Sequence, residues 1–131
     1  MIVIFGGVYQ GKLDYALERF GLSEADVFHC EGAGTLMPSA AICNEIDKWI
    51  LALLQDGLDV AAAIKQFTEK NPDAIVICND ISSGVVPIDP LMRAWRESVG
   101  GAMITLCKQA KEVVRVFCGI ATSIAGSGAV L

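Results

Sequence analysis

The sequence predicts an α/β domain with a mostly parallel central sheet flanked by helices, and three observations carry that prediction. Residues 1–5, MIVIF, are an unbroken apolar run, as a strand buried on both faces requires. Gly6-Gly7 ends the run, and an amphipathic helical pattern begins at Lys12. Strand-like runs then alternate with helical patterns along the chain, the order expected of a parallel sheet with crossover helices.

Each element follows from local chemistry. Leu13, Ala16, Leu17 and Phe20 fall at helical spacing and predict a short helix that stops near Gly21. Residues 25–30, ADVFHC, read as a second strand, followed by the loop EGAGTLMPS. Ser39 is placed to cap a helix carrying Ile42, Ile46, Trp49, Ile50, Leu53 and Leu54, with Asp56-Gly57 as its stop. Asp59 caps the next helix, which turns Ile64 and Phe67 inward and ends at Asn71-Pro72. IVIC, after Asp73-Ala74, predicts a third buried strand, and the polar turn from Asn79 to Gly84 lies at the strand end where open α/β sheets hold ligands. Asp89-Pro90 opens a long helix with Leu91, Trp95, Val99, Met103 and Leu106 on one stripe. Gly100-Gly101 costs that helix about 1 kcal/mol per glycine relative to alanine, which predicts a bend or a close backbone approach there. VVRVFCGI reads as the fourth strand.

Composition narrows the function classes. With 131 residues and 53% apolar content, the chain suits one compact domain spanning 1–131. Ten Lys+Arg against 15 Asp+Glu give a formal charge of −5, which argues against a broad nucleic-acid-binding face. The last 16 residues carry no charge, but they are short for a bilayer span and rich in Gly and Ser. MIVIFGG lacks a basic leader, so the expectation is a cytoplasmic protein without membrane contact. Five cysteines without a CxxC motif read as reduced, buried, small apolar residues.

The residues that carry chemistry begin at the first strand-to-helix junction. Gly6-Gly7-Val8-Tyr9-Gln10-Gly11-Lys12 matches G-x-x-x-x-G-K, which makes the expected fold P-loop NTPase-like. In such a loop, glycines let backbone N–H groups face phosphate oxygens, the helix N-terminus adds partial positive charge, and the lysine adds a full one. Gly6, Gly7, Gln10, Gly11 and Lys12 are therefore the candidate phosphate-binding residues. Leu13 stands where the motif has Ser or Thr, so one Mg²⁺-ligating hydroxyl is missing, and Asp14 is turned roughly 100° away by one helical step. A glycine-rich turn and a surface lysine with no ligand is the competing reading.

Two separated segments resemble the adenosylcobinamide kinase/adenosylcobinamide-phosphate guanylyltransferase family of cobalamin biosynthesis. The first is GGVYQGKL, against the family's GG-x-R-S-GKS; the second is CNDISSGVVP at Cys78 to Pro87, against T-N-E-[VL]-G-x-G-[IV]-V-P. Arg93, Arg96, Glu97 and Gly100 echo an R-x-x-R-D-x-x-G-like pattern that follows, so the likeness covers most of residues 1–12 and 73–120. The resemblance implies a nucleotide, GTP or ATP with Mg²⁺, a corrinoid substrate and a trimeric homo-oligomer.

It also implies roles for particular side chains. The strand ending His29-Cys30 resembles a family strand ending in Asp-Cys or Glu-Cys, which would put His29 at an acidic metal-site position with Glu31 one residue on. Asp80 takes the place of a family glutamate, and Asn79, Arg93 and Arg96 complete the candidate substrate or metal-site residues. The chain departs from the pattern at Tyr9, Gln10, Leu13, Gly101, Met103 and Ile104, and the family's guanylylated-histidine helix has no counterpart. The expected function is nucleotide binding with doubtful bifunctional catalysis. A non-catalytic nucleotide- or corrinoid-binding regulatory or structural module is the alternative.

Overall fold

The computed structural model describes residues 1–81 and 89–126. β1 (Ile2–Gly6) leads through a loop into α1 (Lys12–Phe20), which ends where Gly21, at φ 64°, donates its N–H to the Leu17 carbonyl. A short 3-10 turn, Glu24–Asp26, is closed by a reciprocal Ser23–Asp26 capping box. β2 (Val27–His29), β3 (Ile42–Asn44), α2 (Ile46–Gln55) and α3 (Val60–Lys70) follow. Next come β4 (Ile75–Asn79), α4 (Pro90–Gln109), β5 (Glu112–Phe117) and β6 (Ile120–Gly126). Both predicted aspartate caps are present: Asp59 accepts from the Ala62 N–H at 3.1 Å, and Asp89 from the Leu91 N–H at 2.8 Å. Among the described residues, no helix is long and apolar enough to cross a membrane.

The six strands lie in the order β2-β3-β4-β1-β5-β6, parallel except for β6. β1 is interior, so its alternate side chains feed two cores. Val3 joins Cys43, Val76, Cys78 and Val113 under α2, α3 and α4, with Trp49 and Phe67 packed at 5.7 Å between centroids. Ile2 and Ile4 join Ile42, Ile75, Ile77, Val114 and Val116 beneath α1. Arg19 on α1 pairs with Glu112 at the start of β5 at 2.5 Å and fixes that helix across the sheet. Parallel pairing brings the C-terminal ends of β1, β3 and β4 to one edge, where the Asp80 N–H donates to the Gly6 carbonyl at 2.8 Å.

Four expectations change. Ser39 does not start a helix: Ile42–Asn44 is a buried strand, and the helix begins at Ile46. Pairing with Val27–His29 on one side and Ile75-Val76 on the other outweighs the helical spacing of Ile42, and Glu45, at φ 59°, breaks the chain direction. VVRVFCGI is not one strand: Cys118 and Gly119, at φ 50° and 76°, make a two-residue turn, and Ile120 returns antiparallel. Gly100-Gly101 does not mark a close backbone approach among the described residues, because outside the helix's own backbone none of their atoms lies within 4 Å of a Cβ built at either position. Among the cysteines only Cys30, Cys43 and Cys78 are buried, while Cys107 is half-buried and Cys118 exposed, all five thiols being free.

The end of β1 sets a steric requirement. A Cβ at Gly6 would stand 2.3 Å from the Val116 carbonyl oxygen, a backbone atom of the neighbouring strand, whereas one at Gly7 would meet only Gln10 Cγ at 3.4 Å. Gly6→Ala should therefore destabilise by about 1–3 kcal/mol, with Gly7→Ala close to wild type in the same chemical-denaturation experiment.

Candidate functional site

A cleft of about 280 Å³ opens at the C-terminal edge of the sheet, between the loop after β1 and the ends of β3 and β4. Its walls include Gln10, Gly11 and Lys12 from the loop and the start of α1, Glu31 from the loop after β2, Asn44 and Glu45 from the end of β3, Lys48 from α2, and Asn79 from β4. Three non-glycine residues have left-handed φ among the described residues, and all belong to this region. Tyr9 at 61° and Glu45 at 59° line the cleft, and Cys118 at 50° holds its loop. Such conformations cost about 1–3 kcal/mol each and persist where the surroundings over-determine them, which marks the cleft as a functional candidate.

Lys12 is the cation at the floor. It opens α1 yet is only 6% exposed, and its ammonium donates to the Gly7 carbonyl at 2.5 Å. Burial lowers its pKa from the ordinary lysine value, with the negative charges of Asp47 and Glu45 opposing. The loop is tied from outside by the β5–β6 hairpin: the Cys118 N–H donates to Gln10 Oε1 at 2.6 Å and the Gly119 N–H to the Gln10 carbonyl at 2.9 Å.

Behind the lysine stands a network that sequence reasoning missed. Asp47, fully buried at the start of α2, accepts from the Asn79 backbone N–H at 3.0 Å and from Asn79 Nδ2 at 3.2 Å. Asn79 Nδ2 also donates to Glu45 Oε2 at 2.9 Å, and Trp95 Nε1 on α4 donates to the Asp47 carbonyl at 2.8 Å. Burial raises the pKa of the Asp47 carboxyl, and the Asn79 hydrogen bonds pull it back. One amide thus fixes two carboxylates, of which Glu45 lines the cleft and Asp47 lies beneath it.

The predicted residues divide. Gln10, Gly11, Lys12, Glu31 and Asn79 come together at the cleft. Gly6 and Gly7 lie behind it and use their carbonyls to hold Asp80 and Lys12. The Gln10 side chain is engaged by the hairpin. His29 is exposed and outside the cleft lining, with Nε2 2.8 Å from Glu24 and Nδ1 3.2 Å from Asn44 Nδ2. Asp80 and Arg96 border a separate cavity beside α4, and Arg93 is exposed on that helix and lines neither space. The segment 82–88, with most of the CNDISSGVVP motif, lies outside the described residues. Among the described residues, no group of three or more His, Cys, Asp or Glu side chains is arranged to hold a metal ion.

The buried network sets two expected outcomes. Asn79→Ala should destabilise by about 1–3 kcal/mol in chemical denaturation, since it leaves buried Asp47 and Glu45 without the amide donor. The second concerns pH. Because burial raises the folded-state pKa of Asp47 above the usual carboxyl value of 3.8, the unfolded chain loses that proton first as pH rises. Its contribution to stability therefore falls with rising pH between the ordinary and the raised values, and Asp47→Asn should flatten that part of the stability profile.

No curated protein matches the chain. The family model described as cobinamide kinase / cobinamide phosphate guanyltransferase matches residues 34–124, from the loop before β3 into β6. The match takes in Asn44, Glu45, Asp47, Asn79 and the whole of α4. It begins after His29 and Glu31 and after the glycine loop, so the assignment of a family strand end to His29 does not rest on it, and the loop stands on its own geometry. Two strand ends inside the match reach the cleft, Asn44-Glu45 of β3 and Asn79 of β4. With more than half its length matched and an α/β fold consistent with the family's, the chain belongs to the cobinamide kinase / cobinamide phosphate guanyltransferase family.

Proposed function

We propose that the chain binds a nucleoside triphosphate, ATP or GTP, through the loop at Gly11-Lys12 and acts in the kinase half of its family's chemistry on a cobinamide-type acceptor. The observation that carries this reading is Lys12: a buried ammonium at a helix N-terminus, facing a cleft and backed by two fixed carboxylates. Elsewhere on the chain such a lysine would be solvated, and desolvating it is useful where an anion is to be received. The outer phosphates would take the Lys12 ammonium from Gly7 and the free N–H groups of the first α1 turn.

The site fits a divalent cation only in part. Leu13 borders the cleft but contributes no oxygen, packing partly against the core beneath α1, and buried Asp47 does not line the cleft. Of the three carboxylates that line the cleft, Asp14, Glu31 and Glu45, the one that would hold Mg²⁺ in this reading is Glu45, fixed by Asn79, which also donates to Asp47. The metal, when bound, would neutralise charge on the outer phosphates. Guanylyl transfer is not part of the proposal, because no histidine of the chain lines the cleft: His29 is engaged by Glu24 and Asn44 on its outer side.

The Leu13 substitution favours a second reading, in which nucleotide or corrinoid is bound without turnover, as in a regulatory or structural module. Calorimetry with ATP and GTP, with and without Mg²⁺, followed by a turnover assay with cobinamide, separates the two.

Lys12→Ala should weaken triphosphate binding at least tenfold while the protein stays folded, since charged hydrogen bonds contribute about 1.5–3 kcal/mol. Unchanged affinity would remove the phosphate reading. Leu13→Ser should increase the Mg²⁺-dependent part of the affinity by about 1 kcal/mol, with Leu13→Ala as the control for the lost packing. Equal metal dependence in all three proteins would mean that the loop does not present a metal site.

A further inference from the structure

The paired glycines of α4 have no packing reason. Each costs the helix about 1 kcal/mol against alanine, yet, their own helix backbone aside, neither has an atom of the described residues within 4 Å of the place its Cβ would occupy. No neighbouring backbone needs the room. Each glycine instead borders a cavity, Gly100 one of about 230 Å³ and Gly101 one of about 220 Å³ on the α3 side.

The two cavities differ in where they lead. The one at Gly101 lies between α3 and α4, among Val60, Ile64, Ala102 and Thr105, and shares no lining residue with the phosphate cleft. The one at Gly100 lies against the C-terminal ends of β1 and β4, and Asn79 is a wall of both it and the cleft. Its interior is apolar, formed by Phe5, Cys78, Ile81, Val99 and Met103, while Asn79, Asp80 and Arg96 supply polar groups. An apolar chamber with a few polar groups, one wall away from a polyphosphate site, suits the partner of the nucleotide better than the nucleotide itself.

We propose that the Gly100 cavity is the acceptor pocket, and that it takes an apolar limb of the acceptor whose polar end lies toward Asn79, Asp80 and Arg96. The proposal rests on the phosphate-binding reading of the neighbouring cleft and adds where the acceptor's apolar limb sits and the residue that admits it. At about 230 Å³ the chamber is smaller than the roughly 300–1,000 Å³ that encloses a drug-sized molecule, so a side arm enters and a macrocycle stays outside. Gly100 is then a specificity-determining residue: the missing side chain makes the space.

The test compares Gly100→Leu with Gly101→Leu. Both remove a helical glycine and gain the same propensity, but only the first fills the chamber beside the cleft. Binding of ATP and binding of cobinamide are measured separately by calorimetry on the full chain. Cobinamide affinity should fall at least tenfold in Gly100→Leu and stay within twofold of wild type in Gly101→Leu, with ATP affinity unchanged in both. Gly100→Ala, a smaller intrusion that meets no atom within 4 Å, should give the same order with a smaller effect, and decides the matter if the leucine variant does not fold. Equal cobinamide affinity in wild type and Gly100 variants overturns the pocket, as does a loss confined to ATP, equal loss in both leucine variants or no cobinamide binding by wild type. Absence of ATP binding in the wild type counts instead against the phosphate reading, with the pocket still judged on cobinamide alone.

Discussion

The architecture of the site depends on keeping one ammonium out of water. Lys12 begins a helix, where a side chain would ordinarily extend into solvent, yet it is folded under the loop and held by the Gly7 carbonyl. Desolvation disfavours its charge, so compensating groups must be near and fixed. Asp47 and Glu45 supply the negative charge, and Asn79 keeps both from moving. The arrangement draws on three strand ends at once, which is why a parallel sheet suits it: parallel strands deliver their C-termini to one edge.

A buried carboxylate is itself expensive, and Asp47 is tolerated because its oxygens accept two N–H groups from one residue. Trp95 closes the other side by donating to the Asp47 carbonyl, so α4 is pinned to the start of α2 at the level of the cleft. Lys48, which lines the cleft, also lies 5.7 Å from the centre of the Trp95 ring. The core under α2 to α4 and the polar floor are therefore one construction: shifting α4 would loosen the groups that support Lys12.

How much of this was legible in the sequence depended on length and on partners. MIVIF and IVIC announced themselves as buried strands because continuous apolar runs ended by turn residues are a local signal. The Asp59 and Asp89 caps were readable for the same reason, since a cap bonds its own first turn. β3 was not, because three residues carry no periodicity and Ile42-Cys43-Asn44 exists as a strand through neighbours far along the chain. Missing β3 also hid Asn44, Glu45 and Asp47, which read as ordinary polar positions on a helix. The polar break in an apolar stretch, Asn44-Glu45 followed two residues later by Asp47, was the signal available. The turn at Cys118-Gly119 was lost inside a uniformly apolar run, although a glycine there is what a tight hairpin needs.

The hairpin explains why the loop keeps its shape although Tyr9 and Gln10 are unlike the family's residues there. In this chain the Gln10 carbonyl and side-chain oxygen both accept N–H groups from Cys118 and Gly119, so the loop is braced by the β5–β6 turn. Gly11 next to it adopts φ 88°, a conformation that favours glycine, and a Cβ there would lie in van der Waals range of Gly119. Leu13 fits the same pattern: it contributes to the core beneath α1 and not to the cleft chemistry. Apolar packing and backbone hydrogen bonds thus fix the cleft-facing part of the loop. The loop is held from the β5–β6 side of β1, and the Glu45–Asn79–Asp47 network lies on the β3–β4 side, so the two halves of the cleft wall are fixed independently.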